Sequence, residues 1–189
     1  MKRGLEVLLA TSVVFNLGAG LFGPIYAFFV EKIGGDVVAA GSAISLFMLV
    51  TGLLILILGR LEDKLKFRNK ELMVVIGYFI LAFTVLGFVF IENIVHLYIA
   101  QAILGFGVAI INPSWNAIYT RMLDRGKEAS EWSYWDGGTR IALAISAFLG
   151  GIIVKIYGFK VLFIIMFIMN LCAALISTRL LSKGKRYKR

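Results

Sequence analysis

Long apolar stretches broken by short polar ones set the pattern of this chain. A helix that spans a bilayer needs about 20 mostly apolar residues. Six stretches qualify, at about 5–30, 37–58, 71–91, 95–120, 131–155 and 159–181. None alternates apolar and polar residues as a barrel strand does. The pattern predicts an all-α membrane protein: a bundle of six transmembrane helices over residues 1–181, then a basic tail over 182–189. The stretches differ in kind. The third (Leu72 to Ile91) and sixth (Val161 to Ile176) are almost uniformly apolar, with Asn170 the main exception, whereas the first, fourth and fifth carry the polar groups. That division predicts a bundle whose third and sixth helices face lipid while the first and fourth line a cavity.

Composition removes the soluble alternative. Of 189 residues 60% are hydrophobic and the mean hydropathy is +0.89, whereas a soluble domain sits near 45–50% apolar. The net charge of +9 would suit nucleic acid, but the bases are confined to loops and ends, as the positive-inside rule requires. With both ends inside, the cytoplasmic side holds Lys2, Arg3, Arg60, Lys64, Lys66, Arg68, Lys70, Arg121, Arg125 and Lys127, and the six bases from Arg179 to Arg189. Against these sixteen stand three outside, Lys32, Lys155 and Lys160. The expected location is the cell membrane, multi-pass, with both termini cytoplasmic and no nucleic-acid partner. The opening Met1-Lys2-Arg3 and the apolar run to Val30 make too long a segment for a signal peptide, so it reads as a retained first helix. The single cysteine, Cys172, excludes an intrachain disulfide. No metal-ligand spacing and no serine–histidine or paired-acid constellation is present, so neither a cofactor nor an enzyme is expected.

The candidate chemistry lies inside the spans. Asp136 and Arg140 are one helical turn apart and can meet on one face. Each costs roughly 2.5–3.5 kcal/mol at a helix centre, which makes both functional candidates; the plainer alternative is a neutralised pair that only fixes packing. Pairing the fourth and fifth helices as a hairpin between Arg121 and Glu131 puts Asn112, Asn116, Asp136 and Arg140 in one polar layer. Trp115, Tyr119 and Trp135 lie close in sequence, Asn16 sits mid-way along the first helix, and Tyr26 follows on the same segment. Amides, aromatics and one ion pair suit a small polar or amphipathic solute. A weak internal repeat at an offset of 89 residues carries Gly18 onto Gly107, Pro24 onto Pro113 and Tyr26 onto Trp115. Three crossings separate the two copies, so the repeat is inverted, and interruptions at matching places of such repeats point to a transport site.

The charged island from Gly59 to Leu72 carries a family likeness. Gly59, then Asp63-Lys64, then Arg68 resembles the loop between the second and third helices of major facilitator superfamily transporters, with Lys66 and Phe67 departing from its usual glycine and base. Gln101 to Gly107 resembles the fourth-helix pattern, with Gln101 in place of its arginine; Asp124-Arg125-Gly126-Lys127 and Tyr157-Gly158-Phe159-Lys160 resemble later junctions. The Gly-Pro pair typical of fifth helices in drug antiporters is absent. The family normally has twelve helices, so the likeness implies half of a major facilitator-like fold, six helices as a 3+3 inverted repeat.

The likeness further implies a secondary transporter working by alternating access, with Gly59, Asp63, Lys64 and Arg68 gating it and Asp63 approaching the partner's fifth helix. One bundle has nothing to rock against, so the expected partner is a second copy of the chain, alongside the solute, membrane lipid and a coupling proton taken up at Asp136. Gly138, Ala142, Ser146 and Gly150 on helix five, and Ala39, Gly41, Ser42, Ala43 and Ser45 on helix two, are small faces that such a contact would use. A non-transporting assembly subunit and one half of a heteromeric transporter are the competing readings.

Overall fold

The computed structural model describes residues 3–181; the basic tail lies outside them. The chain is helical nearly throughout: α1 (Arg3–Gly20), α2 (Tyr26–Lys32), α3 (Val37–Glu62), α4 (Phe67–Gly87), α5 (Ile94–Met122) and α6 (Glu128–Leu181), with 3-10 turns at Gly23–Ile25 and Phe88–Phe90. No strand occurs among the described residues. Helices satisfy their own backbone groups, which hydrocarbon cannot do for them. Five helical stretches of the described residues are long and apolar enough to cross a membrane: Gly4–Lys32, Val37–Glu62, Arg68–Phe90, Ile94–Met122 and Glu128–Leu181.

The two prolines act differently. The first span, expected to be continuous over 5–30, breaks after Gly20 into the turn that holds Pro24, because proline has no N–H to continue the ladder. Pro113 lies inside α5 without ending it, and so leaves the Ala109 carbonyl without its helical donor. Two helices open on side-chain caps. Asp36 Oδ1 accepts from the Ala39 N–H at 2.7 Å, and Asn93 Oδ1 from the His96 N–H at 2.9 Å, opening α3 and α5.

α6 has 54 residues and, straight, would reach about 80 Å at ~1.5 Å per residue. It folds back at Gly158, whose φ of 80° and ψ of 173° are non-helical and open essentially to glycine alone. Both arms then lie along α1. Before the break Gly138 meets Val13 and Gly150 meets Leu21; after it Met166 and Met169 lie against Gly18. With the Phe22–Phe163 ring contact, later positions of the first segment meet later residues on the first arm and earlier residues on the second, so α6 is a hairpin. The loop expected between 155 and 159 is a single residue.

α1 packs mainly on α6, α4 on α5 and α6, and α3 on α5. One core gathers Phe22, Phe29, Phe88, Phe159 and Phe163, with ring centroids 5.0–6.2 Å apart. The second, toward the opposite end, joins Leu5, Leu8, Tyr78, Trp115, Ile118 and Tyr119. α4 and the second arm of α6, expected to face lipid, each bury one stripe. Val74, Tyr78, Leu81 and Val85 are buried on α4 while Leu72, Ile76, Phe83 and Phe90 are exposed. α3 is the peripheral helix: of its long apolar side chains Met48, Leu49, Leu53, Leu56 and Ile57 are exposed.

The small stripe of helix five also differs from expectation. Ala142, Ser146 and Gly150 are buried, and Ser146 and Gly150 meet Gly20 of α1 and Leu21 just after it. Small side chains let two helices approach, and α1 is the helix that has done so; the stripe is used within the bundle. Neighbouring glycines therefore separate sharply. A Cβ on Gly150 would fall on the Leu21 backbone, whereas one on Gly151 would meet nothing within 4 Å. Gly150→Ala is expected to destabilise the bundle by about 1–3 kcal/mol through overpacking, and Gly151→Ala to leave it unchanged or slightly firmer, as thermal unfolding in detergent would measure.

Candidate functional site

Asn16 on α1 and Asn112 and Asn116 on α5 come together at one cavity of about 310 Å³. Its wall is completed by Ser12 and Phe15 of α1, Tyr78 and Leu81 of α4, Val108, Ile111 and Trp115 of α5, and Trp135 of α6. Spacings of three and four residues put 108, 111, 112, 115 and 116 on one face of α5, and 12, 15 and 16 on one face of α1. The lining has no charged side chain. Asn16 Nδ2 donates to the Ser12 carbonyl at 2.7 Å, and the Tyr78 hydroxyl is hydrogen-bonded to Ser12. Four helices thus converge on a small, uncharged hollow of mixed character, three asparagines and a serine among apolar walls, flanked by two indoles.

The aromatic wall is a cluster. Trp115 stacks on Tyr119 at 4.7 Å and 12°, Trp135 lies 5.1 Å from Trp115, and Trp132 lies 4.6 Å from Tyr119. The chain has 3 tryptophans, and all of them are here. Tyr119 is buried behind Trp115 rather than in the wall, its hydroxyl donating to the Glu131 carbonyl at 2.5 Å. Nε1 of Trp115 and of Trp135 is buried without a protein acceptor. An unmet buried donor costs about 1–3 kcal/mol, so this wall gains whenever an acceptor reaches it.

The other expected site residues lie elsewhere. Arg140 Nε donates to Asp136 Oδ2 at 2.9 Å, and both side chains are exposed, by 75% and 52% respectively. The pair stands one residue beyond Trp135 on an open face of α6 and is not part of the cavity wall. Tyr26 belongs to the phenylalanine core, its hydroxyl accepting from Gln101 Nε2 at 3.1 Å. Of the gating residues, Gly59 lies in the last turns of α3 with open space beside it. Asp63 caps that helix and pairs with Lys70 Nζ at 3.6 Å; Lys64 and Arg68 are exposed.

Three buried acids escaped the sequence reading. Glu62, Glu71 and Glu131 are 4%, 3% and 5% exposed. Ser114 Oγ donates to Glu62 Oε2, Glu131 Oε2 accepts from the Asp124 N–H at 3.0 Å, and Glu71 Oε2 has no partner. Glu62 and Glu71 read as loop charges because they sit in the charged island. The signal that could have found Glu62 is register: it lies about three turns after Thr51, on the α3 face that Gly105 of α5 meets.

A family model described as Major Facilitator Superfamily matches residues 8–189. An uncharacterized MFS-type transporter of Methanocaldococcus jannaschii is 22% identical over 177 residues, 94% of this chain and 45% of that protein. The chain therefore spans about half the length of this curated relative. Among solved structures, the POT family transporter PepTSo superposes with a TM-score of 0.73 at 14% identity, over 99% of this chain and 38% of that one. An exposed ion pair contributes about 0–1 kcal/mol to stability. Asp136→Asn is accordingly expected to move the thermal unfolding midpoint in detergent little, far less than Gly150→Ala; a loss as large would show the pair to be a packing element.

Proposed function

The chain belongs to the major facilitator superfamily, and we propose that it is a secondary active transporter. In this reading its helical unit pairs with a second copy and moves a small polar or amphipathic solute by alternating access. The observation that carries it is the Asp136–Arg140 pair, exposed on a membrane-spanning helix next to an uncharged polar cavity. Charge inside a span faces the bundle interior or a water-filled cavity, not lipid. In a two-fold pair that open face and its asparagine-lined hollow turn toward a shared central cavity, whose solute meets amides, hydroxyls and indole rings.

Several features support the architecture. With the two arms of α6 counted as separate spans, our reading has the unit cross six times, which would put Arg3 and Leu181 on the side of the charged island, the cytoplasm by the distribution of bases. Gly18 packs α1 against the last arm of α6, and Gly107 packs α5 against α4. Those are equivalent contacts in two inverted halves, and they favour the 3+3 repeat. A partner has a face to cover: α3 exposes Met48, Leu49, Leu53 and Leu56, and a Cβ at Gly41 or Gly52 would meet nothing within 4 Å. The first arm of α6 exposes Ile141, Ile145 and Phe148. Our reading sets α3 of one copy against this arm of the other. Asp63 would then approach the partner's Lys127 to Ser130 when the pair opens outward, held by the helix N-terminus. Protons are the proposed coupling ion, with Asp136 as their carrier at the cavity.

Transport by purified protein in liposomes, with a panel of sugars, amino acids and cationic drugs, tests the function; no uptake or exchange of any would favour the assembly-subunit reading. In that assay Asp136→Asn should still exchange solute and lose accumulation driven by a pH gradient, and normal accumulation would assign the pair to structure. Gly52→Leu, placed where the bundle has room, should weaken self-association in lipid without altering monomer stability. Unchanged energy transfer between labelled copies, or a transporting monomer, would remove the second copy from the account.

A further inference from the structure

Glu62 is the last residue of α3 and is almost wholly covered, yet the charged groups around it are those of a water-facing loop. Its carboxylate accepts from Ser114 Oγ on α5. From α4, Lys70 faces it; on its own helix end Asp63 does, and Asp63 pairs with that same lysine. Arg68 and the buried Glu71 follow on α4, and Arg121 lies seven residues beyond Ser114 on α5. A carboxylate buried against a single hydroxyl is held far less firmly than one in a bidentate ion pair, and adding a proton alters that hold directly.

The place of the contact matters as much as its chemistry. Ser114 follows Pro113, where α5 lacks a backbone hydrogen bond and bends most readily. Asn112, Trp115 and Asn116, on either side of it, line the cavity. The bond from Glu62 therefore ties the charged loop to the weakest turn of the helix that carries most of the cavity's polar wall.

We infer that Glu62 is a proton-binding site whose charge state sets the grip of α3 on α5 at Ser114, and through it the shape of the cavity. The step is simple: a proton from water at the loop end of the bundle joins the carboxylate to give the neutral acid, and leaves by the same route. Ionised, Glu62 draws the Ser114 hydroxyl and Lys70 toward one point. Neutral, it leaves Lys70 wholly to Asp63, its partner already, and loosens the tie beside Pro113. This site is distinct from the Asp136–Arg140 pair, which is already matched and open. Its use in coupling rests on the transporter reading, but its existence does not, and the test below needs no solute.

Because all 3 tryptophans stand in the cavity cluster, intrinsic fluorescence reports its shape. The protein in lipid nanodiscs would be titrated from about pH 4 to about pH 9, which brackets ordinary and buried carboxyls. Infrared spectra over the same range would follow the protonated-carboxyl band. The wild type should show one fluorescence transition that tracks the loss of that band. Glu62→Gln should lose the fluorescence transition and only that part of the carboxyl band that titrates with it, the other acids keeping theirs, while Glu71→Gln and Glu131→Gln keep the transition. Ser114→Ala, which retains the acid, should displace the midpoint, and it decides the matter if Glu62→Gln does not fold. A flat wild-type signal, a transition that survives Glu62→Gln, or a midpoint unmoved in Ser114→Ala would overturn the proposal. Failure of the liposome assay with the titration intact would instead remove the transport reading and leave the proton site.

Discussion

The close approach of α1 to both arms of α6 is the constraint on which the rest of the bundle depends. Lipid tails are as apolar as leucine, so helices in a bilayer gain little by burying apolar surface against each other and associate by tight packing instead. Here the packing is made at positions with little or no side chain: Gly18 and Gly20 on α1, Ser146 and Gly150 on α6. Three residues set the scale of that contact. A methyl group on Gly150 has nowhere to go, while Gly20 and Leu21 opposite it lead into the turn at Pro24. With α1 clamped at this end, Asn16 and Ser12, one and two turns back along it, are held against α4 and α5 at the cavity.

The helical class and membrane setting were legible in the sequence, because apolar stretches of that length have few other uses. The cavity amides were legible for a related reason: Asn16, Asn112 and Asn116 are polar groups where hydrocarbon penalises them, and the structure puts them at one hollow. Depth alone could not say which way a side chain faces. It therefore grouped Asp136 and Arg140 with the amides, although they open on a neighbouring face of α6. The small residues of helix five misled in the same way. Their spacing announces that a helix comes close, and only the three-dimensional arrangement shows that it is α1 of the same chain.

Charge was the least legible property. A count of bases assigns sides of a membrane, but it treats Glu62, Glu71 and Lys70 as loop residues, when all three are largely covered. Burial converts them from solvated charges into groups whose partners must be accounted for one at a time. The same holds at the other end of the chain's polar series, where Gln101 replaces the expected arginine with a neutral amide. That amide is engaged with the Tyr26 hydroxyl inside an aromatic core, so what the family pattern marks as a charge position is here a structural bond.

Gly158 carries a consequence for how the chain is made. The two arms of α6 are joined by one non-helical residue, so no polar loop lies between them. The pair is suited to leaving the ribosome-bound insertion machinery as a single helical hairpin, docking on an α1 already in place. The same economy makes this end of the molecule intolerant of insertions. A tag, a glycan acceptor or a protease site at Gly158 would have to open a one-residue turn on which the pairing of the two arms depends, whereas the turn at 123–127 offers such an insertion a loop from the outset.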